Sequence, residues 1–129
     1  MDLPESPPQL APCPSTPNCV SSVETGKAFV EPFYLSANDE AVWQALIQLI
    51  QSAPRTTVQD QRPTYLYATE RSRVFGFIDD IEFILDPKQQ RIDVRSASKT
   101  GYSDFGVNRR RVESIRKQLI EQGLVKPAP

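Results

Sequence analysis

Three carboxylates fall within four positions at Asp79, Asp80 and Glu82, and three guanidiniums stand in a row at Arg109, Arg110 and Arg111. Clustered carboxylates could ligate a hard cation or share acid–base work, and clustered arginines could clamp a phosphate, sulfate or carboxylate. The acids lie in a strand-like run, where successive side chains point to opposite faces. Asp79 then faces away from Asp80 and Glu82, and adjacent strand carboxylates converge on one cation only across a bulge. Ion pairing with Arg95 and with the arginines is the expected role, and no metal site is expected. The chain has no histidine. That excludes a Ser-His-Asp or Cys-His nucleophile and any His-ligated zinc or iron. The remaining catalytic vocabulary is carboxylate, Lys, Arg, Ser, Thr and Tyr, and no cofactor is expected.

Cys13 and Cys19 are the only cysteines. Their spacing matches neither a redox C-x-x-C nor a zinc-finger half with its other ligands present. A structural disulfide is the favoured reading; reduced thiols and a redox or metal role are the alternatives. Closing so short a loop would stabilise by about 2 kcal/mol in the chain-entropy model. It would also require an oxidising compartment, hence an exported or anchored precursor. No apolar run reaches the length of a membrane span, no signal peptide is visible, and Met1 opens onto the polar run Asp2-Leu3-Pro4-Glu5, as a mature form would. Net charge is −1, and the aromatics are not interleaved with the basic residues, so no nucleic-acid partner is expected.

The elements that must position these groups follow from periodicity. Residues 1–25 hold Pro4, Pro7, Pro8, Pro12, Pro14 and Pro17, and read as an extended arm ending in the cysteine loop, without helix or central strand. Lys27–Leu35 alternates loosely, and Pro32 demotes it to an edge strand. Ser36-Ala37-Asn38-Asp39 offers caps to a helix over 38–52, whose stripe is Val42, Trp43, Leu46, Ile47, Leu49 and Ile50. Four strands are predicted at 55–60, 64–71, 76–86 and 90–98, then a helix over 107–122 burying Val112, Ile115 and Leu119, with Gly123 at its C′ position. The predicted domain is 26–124, followed by a disordered tail at 125–129. The fold class is α+β in the order β-α-β-β-β-β-α: a curved antiparallel sheet with two helices on one face. This order resembles the TATA-binding-protein-like and helix-grip topologies, which by itself implies no DNA or lipid function.

Alternation sets the register of the third and fourth of these strands. With Asp86 opposite Arg91, one face pairs Leu85 with Ile92 and Phe83 with Val94, and the other pairs Glu82 with Arg95. A one-residue slip would drive charge into the core. Away from the turn, the inward face becomes polar, where Ile81 meets Ser96 and Asp79 meets Ser98. An inward carboxylate is costly unless paired and hydrogen-bonded. Its partner should come from the next segment, which carries Lys99, Tyr102, Asp104, Asn108, Arg109 and Arg111. Arginines in the first turn of a helix oppose the macrodipole and need an anion. Internal carboxylates or an anionic ligand could supply it.

Three motifs in this order resemble one known family. They are Cys13-Pro14 with Pro17-Asn18-Cys19-Val20-Ser21-Ser22, then Asp79-Asp80-Ile81-Glu82-Phe83, then Arg95-Ser96-Ala97-Ser98-Lys99 continuing through Gly101, Tyr102, Ser103, Asp104, Gly106, Asn108, Arg109, Arg111, Val112, Glu113, Ile115 and Arg116. The chain from about residue 10 to 120 is similar to the domain-of-unknown-function family numbered 1499. Lys99 departs from the arginine expected there, which weakens an anion clamp at that position. The resemblance implies a fold and motif positions without a reaction, in proteins of bacteria and photosynthetic lineages that commonly carry targeting or anchoring segments.

Three functions fit these residues. The first is a non-enzymatic binding or accessory module that holds a small anionic or amphipathic ligand, or a protein partner. Its candidate binding residues are Asp79, Ser96, Ser98, Lys99, Tyr102, Asp104, Asn108, Arg109 and Arg111. The second is a histidine-free enzyme using Asp79 with Arg109, supported by Ser98 and Tyr102. The third is a structural assembly subunit. An open pocket beside Asp79 would favour the first two, and a filled ion-pair network the third.

Overall fold

The computed structural model of the protein describes residues 8–72, 76–101 and 103–129. Six strands and two α-helices are present among them: β1 Cys19–Ser21, β2 Phe33–Tyr34, α1 Asp39–Ser52, β3 Thr56–Gln61, β4 Tyr65–Arg71, β5 Ile78–Asp86, β6 Arg91–Ser98 and α2 Val107–Glu121. The sheet runs β1-β6-β5-β4-β3, with β2 also on β6, and every strand pairing is antiparallel. The class is therefore α+β, with one strand more than alternation predicts.

The β5–β6 register is the predicted one: Asp86 opposite Arg91, Phe83 opposite Val94 and Asp79 opposite Ser98. Across β4 the same face continues as Leu66, Ala68 and Glu70, opposite Phe83, Ile81 and Asp79. Both helices cover this face, because their buried residues join Leu66, Ile81, Phe83, Ile92 and Val94 in one core cluster. Asn38 starts α1 by accepting a hydrogen bond from Ala41 N at 3.2 Å. Trp43, Leu46 and Ile50 then recur on its buried side, and Pro54 forces Ala53 into extended backbone that ends it.

Three stretches differ from the expectation. The end of the proline-rich arm forms β1, because Cys19 and Val20 bring apolar side chains to the β6 edge just beyond the last proline of the arm. The edge strand expected over Lys27–Leu35 contracts to Phe33–Tyr34. Glu31 and Pro32 instead turn their carbonyls to buried Arg116 of α2, at 2.7 and 2.8 Å, and Arg116 also lies over the Phe33 ring. The start of the stretch expected as a 125–129 tail is packed onto the fold. Val125 is buried, bridges Leu35, and is followed by a hydrogen bond from Lys126 N to Tyr34 O.

The uncovered face carries a polar ladder. Tyr65 donates to Glu82 at 2.6 Å, Tyr67 donates to Asp80 at 2.5 Å, and Arg95 pairs with Glu82 at 3.7 Å. Among the described residues, no helix is long and apolar enough to cross a membrane.

Candidate functional site

The polar end of the covered face is built around Arg111. Its side chain is 11% exposed, and it projects from the start of the second turn of α2 toward β4, β5 and β6. Nη2 meets Asp79 Oδ2 at 2.7 Å and Glu70 Oε2 at 2.5 Å, and Nε donates to Glu70 Oε2 at 2.7 Å. Nη1 donates to Ser96 Oγ at 3.0 Å and to Asn108 Oδ1 at 2.6 Å. All three guanidinium nitrogens thereby donate within the cluster, and the Nη2–Glu70 contact adds an ion pair. Glu70 and Asp79 are direct cross-strand neighbours. Two like charges so placed repel, and the shared guanidinium is what lets them sit together.

Asn108, fully buried one turn earlier, extends this hub to the loop before α2. Its Oδ1 accepts from Arg111 and from Ser96 Oγ, and its amide nitrogen donates to Asp104 Oδ2 at 2.6 Å and Ser98 Oγ at 3.1 Å. Only a side chain with an acceptor on one side and a donor on the other fits. An aspartate would set another carboxylate against Asp104, and a leucine would strand polar atoms on both sides.

Asp104 closes the helix N-terminus. Oδ1 accepts from Gly106 N at 2.8 Å, and Oδ2 from Asn108 N at 3.0 Å. Burial alone would raise its carboxyl; the hydrogen bonds from the Asn108 backbone and side chain and from Gly106 outweigh burial and hold it below its ordinary 3.8. A carboxyl depressed on folding adds stability above its unfolded value, and that stability is lost as pH falls through the folded value. Below about pH 4, the melting temperature of the wild type should therefore fall more steeply than that of Asp104→Asn, checked by thermal melts across an acid series. Parallel curves would remove Asp104 from this role.

The disulfide Cys13–Cys19 is formed, with an S–S distance of 2.05 Å. It closes a loop whose Asn18 is buried against the hub. The Asn18 carbonyl accepts from Ser98 N at 2.9 Å, and its side-chain amide donates to Gly101 O at 2.6 Å. The cysteine loop thus props Ser98 and Gly101, a role that no motif in the sequence announced.

Beside the hub lies an open cavity of 590 Å³. Its lining includes the polar Asp79, Ser98 and Asp104 and the apolar Phe77, Phe105 and Val107. Phe105 is 85% exposed and holds positive φ (53°) immediately before Gly106. A left-handed conformation costs a bulky residue about 1–3 kcal/mol, and an exposed ring recovers little of it by packing.

Of the residues singled out from the sequence, Asp79, Ser96, Ser98, Asp104, Asn108 and Arg111 come together here. Arg109 does not. It points to the opposite flank of α2 and donates to the Lys27 and Phe29 carbonyls at 2.6 and 2.9 Å, so the proposed Asp79–Arg109 pair is replaced by Asp79–Arg111. Lys99 is also elsewhere, on the uncovered face 3.3 Å from Asp80. One position further along the alternation than Ser98 turns it away from Asp79. Tyr102 lies outside the described residues. Glu70 and Asn18 were missed. The apolar pairing of Leu66 with Phe83 and Ala68 with Ile81 would have pointed to Glu70 once β4 and β5 were aligned.

An antiparallel sheet with two helices on one face, joined to the second helix by a buried guanidinium that two strand carboxylates share, defines the class of this α+β domain. The chain belongs to the family described as "Protein of unknown function (DUF1499)", which matches residues 9–119. That span includes every residue of the hub and both cysteines. No curated protein matches the chain.

Proposed function

We propose that the protein is a non-enzymatic binding module that holds a small amphipathic molecule in the cavity beside Asp79. The observation that carries this reading is the open 590 Å³ space with Phe105 on its wall, strained and solvent-exposed. The volume lies within the range of small-ligand sites, which combine apolar walls with a few fixed polar groups. Backbone strain held without compensating packing is a mark of a functional position. The anionic alternative loses support because the cations it relied on are engaged elsewhere: Arg111 with Glu70 and Asp79, Arg109 with carbonyls, Lys99 with Asp80. The enzyme reading loses the Asp79–Arg109 pair on which it was built.

Phe105→Gly separates binding from folding. Glycine adopts positive φ freely, so the variant should be at least as stable as the wild type, by up to about 1 kcal/mol. It should also bind a neutral apolar dye such as Nile red several-fold more weakly, read by fluorescence titration beside a thermal melt. Unchanged dye binding in a folded variant would refute the cavity as the site.

A further inference from the structure

We infer that the molecule held in this cavity is a monocationic amphiphile, an ammonium group with an alkyl or aryl body. This rests on the binding reading above and names its ligand class. The hub sets two carboxylates, Glu70 and Asp79, against one guanidinium, Arg111, leaving one net negative charge in a largely buried cluster. Uncompensated charge in such a place is costly. Asp79 is the member that lines the cavity, with a side chain only 9% exposed. Its Oδ2 is taken by Arg111, and its Oδ1 accepts no hydrogen bond among the described residues. Asp104 adds a second carboxylate to the same lining, while no lysine or arginine stands among the described lining residues.

The nearby cations are held by other acceptors. Lys99 crosses to Asp80 on the far face, Arg109 reaches the Lys27 and Phe29 carbonyls, and Arg110 donates to the Phe105 carbonyl at 2.9 Å. The same cavity is lined by Phe77 and Phe105. Aromatic faces attract an ammonium through the ring quadrupole, more strongly once it is desolvated. Carboxylates and aromatic side chains lining one cavity complement a cation with an apolar body. Among the described lining residues an anion would meet two carboxylates and no cationic side chain, and a neutral ligand would leave the excess charge of the hub uncompensated.

Three probes of equal chain length test this below their micellar concentrations by calorimetric titration of the full chain: decyltrimethylammonium, decyl glucoside and decanoate. The cation should bind about tenfold or more tightly than either other probe, with the preference shrinking as salt rises. Glu70→Gln removes the excess charge without altering the cavity wall, so it should narrow the preference severalfold while decyl glucoside affinity stays the same. If that variant does not fold, the salt series on the wild type decides. Equal binding of cation and neutral probe would overturn the cationic assignment and leave the amphiphile reading standing, and so would preference for decanoate. No binding of any probe would overturn both.

Discussion

Replacing Arg111 by methionine is expected to destabilise the protein by about 3–5 kcal/mol, the range for breaking a buried ion pair from one side. The substitution keeps much of the side-chain volume but leaves Glu70 and Asp79 facing each other across β4 and β5 with no cation between them. It also removes the donors to Ser96 Oγ and Asn108 Oδ1, both in fully buried residues. Charge is the dominant part of this loss, and that can be checked directly. Adding Glu70→Gln and Asp79→Asn to Arg111→Met neutralises the cluster and should recover a large share of the lost stability, since neutral replacements avoid the ionic desolvation cost. Chemical denaturation of the single, double and triple variants reads the couplings, which should exceed the exposed-pair value of about 0.2–1 kcal/mol. A single-variant loss within that exposed range would mean that the cluster is hydrated and contributes little. In that event the excess charge assigned to the hub would lose its force as well.

Phe83→Ala should cost about 3–5 kcal/mol, whereas Ile84→Ala should cost much less. Phe83 is fully buried in the centre of β5 and stacks on Phe33 with ring centroids 6.3 Å apart. Truncation would leave a hole bounded by Leu66, Val94 and Phe33, in a sheet whose neighbouring strands limit collapse. Ile84 points to the uncovered face, where it is only half-buried. The comparison therefore tests which face of β5 the helices cover, and equal losses of melting temperature would contradict the arrangement described here.

Much of the fold was legible because it rests on local periodicity. The stripe from Val42 to Ile50 specified α1, and Pro54 its end. The alternation from Asp79 to Asp86 against Arg91 to Ser98 left one register that keeps charge out of the core, and that register is the one observed. It also turned Asp79 inward and required a cation near it. Less legible was the N-terminal region, where proline content signals absence of helix but says nothing about which edge the chain will meet. β1 exists because β6 offers an unpaired edge, and a two- or three-residue strand has no period to detect.

The choice of cation belonged to the tertiary structure. Successive helical residues are separated by about 100°, so Arg109 and Arg111 flank the buried stripe of Asn108, Val112, Ile115 and Leu119 on opposite sides. Periodicity therefore shows that only one of them can reach Asp79. Which one depends on the direction in which α2 crosses the sheet, and that is set by packing of the whole stripe against β6 and α1 rather than by any residue near the arginines. Glu70 entered the hub for a similar reason. Its position opposite Asp79 follows from the β4–β5 register, which the connection between the two strands leaves undetermined until Leu66 and Ala68 meet Phe83 and Ile81 in the core. The sequence alone established an inward carboxylate in need of a partner. Long-range packing decided that two carboxylates would share one guanidinium, because contacts between residues far apart in the chain are specified by the core as a unit and by no local pattern.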